Sequence, residues 1–233
     1  MSTSDFASER QGRASPGSGP PRPVVTLAAY YGAGGAVVGP RVAERLGVAF
    51  LDRGIPAAVA ERMGVPEEAA AGYDEQSQGG AGRLLASLAR IPISDAAIRD
   101  SLERDEHRYR AETEEFIASA ALAGGVVLGR AGFVILASMP GVLHVLLGGP
   151  REARIRQGME IESVDRETAE RRLHANDWQR EEHIRRAYGV DPLDPDNFHL
   201  RIDSTAIGLD TCVDLIVAAS QARVRQAHPA DHG

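Results

Sequence analysis

Short apolar runs alternate along this chain with longer segments in which apolar residues recur at helical spacing. Apolar runs of about four to eight residues, bounded by glycine or charged residues, are typical of strands buried on both faces of a parallel sheet. The pattern predicts five such strands, at 24–29, 48–52, 124–130, 142–149 and 198–205.

The segments between these runs predict helices. Ser94 or Asp95 is suited to cap a long helix that ends near residue 123. Further helices are predicted at 40–46, 54–63, 84–90, 150–189 and 209–224. Because strands and helices alternate, we expect an α/β fold, with a five-stranded parallel sheet covered by helices on both faces.

A glycine-rich turn lies between the first strand and the first helix, in the segment AAYYGAGGAVVG at 28–39. Strand, glycine turn and helix in this order are typical of phosphate sites, where backbone N–H groups face the anion. Aligned with the common P-loop pattern, Gly35 stands at the lysine position and Ala36 at the Ser/Thr position. Two side chains that contact phosphate and Mg²⁺ are therefore missing. A glycine turn without a ligand is the alternative.

Composition narrows the chemistry, because all 26 basic residues are arginines and the chain contains no lysine. Any cationic catalysis must therefore use arginine. A compositional bias of the genome explains the same pattern for the chain as a whole. The net charge of −7, without a long basic run, argues against a nucleic-acid-binding surface.

Several features favour a protein of the cytoplasm. The single cysteine, Cys212, excludes an intrachain disulfide. The longest apolar region, 132–149, is interrupted by polar residues, proline and glycine and does not predict a membrane span.

The two ends of the chain predict tails outside the folded domain. Residues 1–22 are rich in Ser, Gly and Pro and predict a disordered tail, and residues 227–233 predict a flexible tail. We expect one folded domain at 23–226.

Four segments follow one another along the chain: YYGAGGAVVGPRVAERLGVAFLDRGI, YDEQ, GGVVLGRAGFVIL, and a last segment that contains REARI, NDWQREEHIRRAYGVD and NFHLRIDSTAIGLDTCVDLIV. In this order and spacing they resemble the cytidylate kinase-like family, a P-loop nucleoside monophosphate kinase group, over about residues 24–220. The family commonly has a Gly-x-Gly-Gly turn that lacks the P-loop lysine. A charged or polar residue follows that turn in the family, whereas Ala36 follows it here.

The resemblance implies a three-layer P-loop kinase-like fold with a helical acceptor-binding insertion at about 53–123 and a lid at about 151–190. It implies transfer of a phosphoryl group from ATP, with Mg²⁺, to a small acceptor such as (d)CMP, so nucleotides are the expected partners. The alternative is a catalytically inactive nucleotide-binding regulatory module, a pseudokinase. The acceptor base and the oligomeric state stay open.

The resemblance also implies roles for residues around the turn and the strand ends. The N–H groups of Gly32, Ala33, Gly34 and Gly35 would face the donor phosphates. Asp52, after the second strand, would contact the acceptor nucleotide or a hydrated Mg²⁺, with helix capping as the alternative.

Arg130, after the third strand, would bind the acceptor phosphate in bidentate fashion. Related cytidylate kinases have Asp after this arginine, whereas Ala131 stands here. This difference puts specificity for a pyrimidine acceptor in question.

In the lid, the resemblance assigns Arg151 to donor binding, and Arg154 and Arg180 to stabilisation of the transferring phosphoryl group. Asp177 and Arg180 match an Asp-x-x-Arg pattern, so Asp177 would orient Arg180. Surface ion pairs are the alternative for all four residues.

Two further pairs are assigned by resemblance. Ser204 and Thr205, after the last strand, would lie near the donor base, with capping of the closing helix as the alternative. Asp74 and Glu75 match a family Asp-Glu pair; assistance to metal binding and a solvated turn are equally supported.

Overall fold

The structure is a computed structural model that describes residues 22–52, 59–62 and 96–227. The predicted helix at 84–90, most of that at 54–63, the pair Asp74 and Glu75 and nearly all of both predicted tails lie outside the described residues. Within the described range, residues 59–62 are helical, as the sequence predicted.

Five parallel strands form one sheet, and each lies within a run predicted from the sequence. The strands are Val24–Ala29 (β1), Ala49–Leu51 (β2), Gly125–Leu128 (β3), Leu143–Gly148 (β4) and Leu200–Asp203 (β5). Their order is β2-β3-β1-β4-β5, so β1 is central. It pairs with β3 and β4, with Leu27 opposite Leu128 and Val145. The carboxyl ends of the strands share one edge, and ligands bind at that edge in open α/β sheets.

The helices lie between and after the strands. They are Gly35–Leu46 (α1), Ala96–Ala121 (α2), Gly132–Ile135 (α3), Arg151–Glu162 (α4), Arg166–Tyr188 (α5), Ser204–Ile207 (α6) and Leu209–Ala227 (α7), with a short 3₁₀ helix at Pro195–Asn197. The charged segment predicted as one helical stretch is two helices. Ser163 ends α4 in the left-handed conformation (φ 52°), and the carboxylate of Asp165 then caps α5 by accepting the Thr168 N–H.

Helix α1 begins five residues before the predicted start at Pro40. Pro40 lies inside the helix, although proline and glycine usually mark a helix boundary. The glycines are needed for close packing. A Cβ on Gly39 would lie 2.6 Å from the Phe50 ring, and one on Gly35 would lie 2.6 Å from the Ala29 methyl group. The helix therefore packs directly against the sheet at these two positions.

Helices cover both faces of the sheet, which confirms the predicted fold class. On one face, α1 and α7 pack on strand residues that include Val25 and Leu27. On the other face, α2 and α3 pack on residues that include Val24 and Val127. Neighbouring residues of β1 thus point to opposite faces, as strand geometry requires. None of the helices in the described part of the chain is both long and apolar enough to span a bilayer.

A histidine cluster lies on β4, away from the strands' carboxyl ends. The Nδ1 atom of His144 is 2.8 Å from the Thr26 hydroxyl, and its ring stacks on the His199 ring at 4.9 Å between centroids. The His199 Nδ1 atom accepts the backbone N–H of His144 at 2.9 Å, and its Nε2 atom lies 3.1 Å from the Arg223 guanidinium. Burial, followed by the charges of His199 and Arg223, lowers the pKa of His144 to about 4.

We expect the free energy of unfolding to fall as the pH falls from about 6.5 to about 4. In this range the unfolded chain binds a proton at His144 and the folded chain does not, which costs at most about 3 kcal/mol. In His144→Asn, the amide oxygen can replace Nδ1 toward Thr26 but has no proton to take up. Urea unfolding between pH 7 and pH 4 should therefore show a shallower pH dependence for the variant. Equal slopes would contradict the assignment.

Candidate active site

The glycine turn joins the central strand β1 to α1. Gly32 and Gly34 have left-handed backbone angles (φ 74° and 78°), which glycine adopts without steric cost. Gly34 is the N-cap of α1, no side chain caps this helix, and its first turn has no acidic residue. The N-terminal amides and the positive end of the helix dipole are therefore available to an anion.

A cleft of about 580 Å³ lies above this turn. The turn forms one wall, with Gly32, Gly34 and Gly35, and the ends of β2 and β3 contribute Asp52 and Gly129. The facing wall belongs to α5, with Asn176, Asp177 and Arg180. The fold thus brings together six of the residues predicted for the site: Gly32, Gly34, Gly35, Asp52, Asp177 and Arg180.

Arg154 and Asp177 form a largely buried ion pair against the turn. The Nη1 atom of Arg154 donates to the Asp177 carboxylate at 2.8 Å and to the Tyr31 carbonyl at 2.9 Å, and its Nε atom donates to the Gly149 carbonyl at 3.0 Å. The other carboxylate oxygen of Asp177 accepts the Tyr31 N–H at 2.9 Å. The pair therefore holds both sides of Tyr31. The structure thus pairs Asp177 with Arg154 and not with Arg180, its predicted partner.

Arg180 lies over the ring of Tyr30, with its guanidinium carbon 4.3 Å from the ring centroid. Its Nε atom is buried and finds no hydrogen-bond partner among the described residues. The Oδ1 atom of Asn176, one helical turn earlier, is in the same state. Buried polar atoms are rarely left unsatisfied in folded proteins, and both of these residues line the cleft. The cleft is therefore suited to a polar ligand with an anionic group.

Helix α4 packs directly on the turn through two glycines. A Cβ on Gly32 would lie 2.0 Å from the Arg154 carbonyl oxygen, and one on Gly158 would lie 2.8 Å from the Tyr31 ring. The amide of Gln157 also donates to the Gly32 carbonyl at 2.9 Å. The predicted lid segment, which contains α4 and α5, is thus in contact with the turn.

The end of β3 has an unusual backbone. Gly129, Arg130 and Ala131 all have positive φ angles, of 69°, 56° and 50°. This conformation costs about 1 kcal/mol or more for each non-glycine residue, and such strain clusters at functional sites. Arg130 is buried, and its Nη2 atom lies 3.4 Å from the Asp52 carbonyl oxygen. The two residues predicted to bind the acceptor are therefore neighbours.

Four predicted donor-site residues are placed differently. Ala33 is fully buried, and its N–H donates to the Tyr30 carbonyl at 3.0 Å instead of facing the cleft. Arg151 is exposed at the surface and pairs with Glu152 at 3.3 Å. Ser204 is fully buried under the turn, with its hydroxyl 2.8 Å from the Ala33 carbonyl oxygen, so it supports the turn. Thr205 bonds to Asp203. Both residues lie in the short helix α6, which Asp203 caps, and the closing helix α7 begins five residues after Ser204.

Sequence reasoning missed the aromatic pair before the turn. Tyr30 lies under Arg180, and the hydroxyl of Tyr31 donates to Glu162 at 2.9 Å. Glu162 also pairs with Arg172. Burial and the bond to Glu162 raise the pKa of Tyr31 to about 12. The signal in the sequence is two large aromatic residues directly before the glycines, which a core strand would also show.

A protein-family model described as the cytidylate kinase-like family matches residues 24–206. Among solved structures, an uncharacterized protein from Eubacterium ventriosum has a TM-score of 0.59 at 17% identity, covering 87% of this chain and 100% of that one. This likeness shows a shared fold. A gluconokinase from Sinorhizobium meliloti has a TM-score of 0.48 at 15% identity, covering 91% of this chain and 99% of its own.

A curated uronate isomerase from Corynebacterium glutamicum is 28% identical over 131 residues, which make up 56% of this chain and 25% of that protein. The chain thus spans about a quarter of the length of this relative. The isomerase name describes that protein alone.

We expect Gly32→Ala to lower the free energy of unfolding by about 3 kcal/mol or more, because a methyl group there collides with the backbone of α4. Gly189→Ala is the matched control. Gly189 has the same left-handed backbone (φ 67°) but no atom within 4 Å of an added Cβ, so it should lose only about 1 kcal/mol. Urea unfolding measures both, and equal losses would contradict the tight packing of α4 on the turn.

Proposed function

The chain belongs to the cytidylate kinase-like family, and we propose that it is a phosphotransferase that moves the terminal phosphoryl group of ATP to a small acceptor, with (d)CMP as the candidate acceptor. One observation carries this proposal. The uncapped N-terminus of α1 and the unsatisfied Nε atom of Arg180 both lie at one cleft.

The donor phosphates would bind at the glycine turn. Gly34, Gly35 and Ala36 line the cleft at the start of α1. Their N–H groups lie at the start of the helix and have no carbonyl acceptor within it. They would therefore donate to phosphate oxygens, and the helix dipole adds to the attraction. An acidic residue in this helical turn would oppose binding, and the sequence places none there.

Arg180 would supply the positive charge that the absent lysine supplies in other P-loops. Arg172 also lines the cleft, but its guanidinium pairs with Glu162. Arg180 forms no ion pair with any residue that the structure describes, so its charge remains available to the phosphates. Arginines that stabilise a transferring phosphoryl group contribute about 10³ to 10⁵ in rate.

The acceptor would bind at the ends of β2 and β3, where Arg130 would hold its phosphate and Asp52 would contact the acceptor nucleotide or a hydrated Mg²⁺. An oxygen of the acceptor phosphate would attack the γ-phosphorus, the bond to the β–γ bridging oxygen would break, and ADP would leave. Such a loose transition state asks mainly for positioning and charge stabilisation, which the turn and the arginines would provide.

A magnesium ion would fit only in a modified form of the common site. Ala36 has no hydroxyl to offer as a ligand, so phosphate oxygens, water and Asp52 would have to hold the ion. When bound, Mg²⁺ neutralises charge on the β- and γ-phosphate oxygens.

A pseudokinase is the second candidate function. Gly35 and Ala36 stand where the common P-loop has Lys and Ser/Thr, and Ala131 stands where related cytidylate kinases have Asp. These replacements favour nucleotide binding without turnover. Binding and turnover must therefore be measured separately.

We expect ATP and ADP to raise the melting temperature of the protein in a thermal-shift titration. At about 100 times the Kd a ligand adds about 2.7 kcal/mol of stability, which is a shift of several degrees. Each titration is run with and without Mg²⁺, and each nucleoside monophosphate is tested alone. If no nucleotide shifts the curve, both candidate functions fail.

We expect Arg180→Ala to lower kcat by about 10³-fold or more in a coupled ADP-release assay, because the transition-state charge loses its cation. Arg130→Ala should mainly raise the KM for the acceptor. Arg171→Ala is the matched control, since Arg171 lies on the same helix but pairs with Glu167 at the surface. No turnover by the wild type, together with nucleotide binding, would favour the pseudokinase. Unchanged kinetics in both Arg180→Ala and Arg130→Ala would contradict the roles proposed for these two residues.

A further inference from the structure

Tyr30 is the first residue after β1, and its ring faces two guanidinium groups. The guanidinium carbon of Arg180 is 4.3 Å from the ring centroid and that of Arg154 is 5.0 Å away. Tyr30 lines the cleft above the turn and also a second cavity of about 460 Å³, which is lined in part by residues of β4 and β5. No role for Tyr30 follows from the sequence pattern.

We propose that Tyr30 is a positioning residue that holds the Arg180 guanidinium over the glycine turn by a cation–π contact. This inference rests on the proposed function, because Tyr30 would hold Arg180, the cation that would contact the donor phosphates.

The two arginines beside the ring differ in their electrostatic surroundings. The charge of Arg154 is paired with Asp177 at 2.8 Å, and its guanidinium also donates to two carbonyl groups. Arg180 has no carboxylate partner among the described residues, so the negative face of the Tyr30 ring is its close electrostatic support.

A ring is suited to this task for a geometric reason. Stacking occupies the flat face of the guanidinium and leaves its N–H donors free in their own plane. A carboxylate would instead occupy two of those donors and cancel the charge. An arginine supported by a ring can therefore offer its hydrogen bonds and its charge to a phosphate.

The backbone of Tyr30 is fixed. Its N–H donates to the Leu147 carbonyl of β4 at 3.1 Å, and its carbonyl accepts the Ala33 N–H at 3.0 Å. The ring is thus attached to the sheet and to the turn, while Arg180 belongs to α5. The contact couples the α5 cation to the phosphate-binding turn, and sites built on rigid elements hold their geometry best.

The test compares Tyr30→Phe with Tyr30→Leu by calorimetric titration with ADP and ATP. Tyr30→Phe keeps the ring and should bind within about twofold of the wild type. Tyr30→Leu should bind about 10-fold more weakly, within the range measured for cation–π contacts. In an Arg180→Ala background, Tyr30→Leu should cause no further loss of affinity, because the contact between the guanidinium and the ring is already absent.

A second series keeps the test decisive if Tyr30→Leu folds poorly. Phenylalanine with one, two or three ring fluorines at position 30 keeps the size of the ring and removes negative charge from its face. Affinity for ADP should fall stepwise with each fluorine. Thermal unfolding of every variant in the absence of nucleotide separates loss of binding from loss of fold.

The outcomes distinguish this inference from the function on which it rests. If the wild type binds neither ADP nor ATP, the proposed function fails and the role of Tyr30 fails with it. If the wild type binds but folded Tyr30→Leu or the fluorinated variants bind equally well, the role of Tyr30 alone is overturned. An equal loss caused by Tyr30→Leu with and without Arg180 also overturns it.

Discussion

The ion pair between Arg154 and Asp177 is the contact on which the cleft depends. Helices α4 and α5 are strongly charged, and near the turn they share a small apolar cluster made of Tyr31, Ile155, Ala169 and Leu173. Farther along α5, Ile184 packs with Leu146 and Phe198. This apolar packing has no direction of its own and does not set how α5 faces the turn. The pair adds directed bonds to the carbonyl and the N–H of Tyr31, and these set where α5 faces the turn.

A buried ion pair is expensive to desolvate, and its net contribution to stability is often small. Here each charged group has further partners, since Arg154 also bonds to two carbonyls and Asp177 to an N–H group. This satisfaction makes the arrangement tolerable and also specific, because a shifted α5 would leave buried charges unpaired. The main effect of the ion pair is therefore to fix the position of α5, which places Asn176 and Arg180 at the cleft.

Much of the fold was predictable, because burial between two layers of helices imposes continuous apolar runs on parallel strands. Sequence reasoning failed where packing overrides local preference. Pro40 suggested the start of α1, but the helix begins at Gly35 where small residues meet the sheet. The spacing of Asp177 and Arg180 showed only that they share a helix. The actual partner of Asp177 is 23 residues away on α4, which depends on how two helices pack.

The cleft is lined by arginine and contains no ammonium group, which has a consequence for control of the protein by covalent modification. Lysines in nucleotide sites can be acetylated, and this covalent mark removes their charge. A chain with 26 arginines and no lysine offers no side-chain amine to such enzymes. The electrostatic attraction of this cleft for anions therefore lies beyond the reach of acylation at lysine side chains.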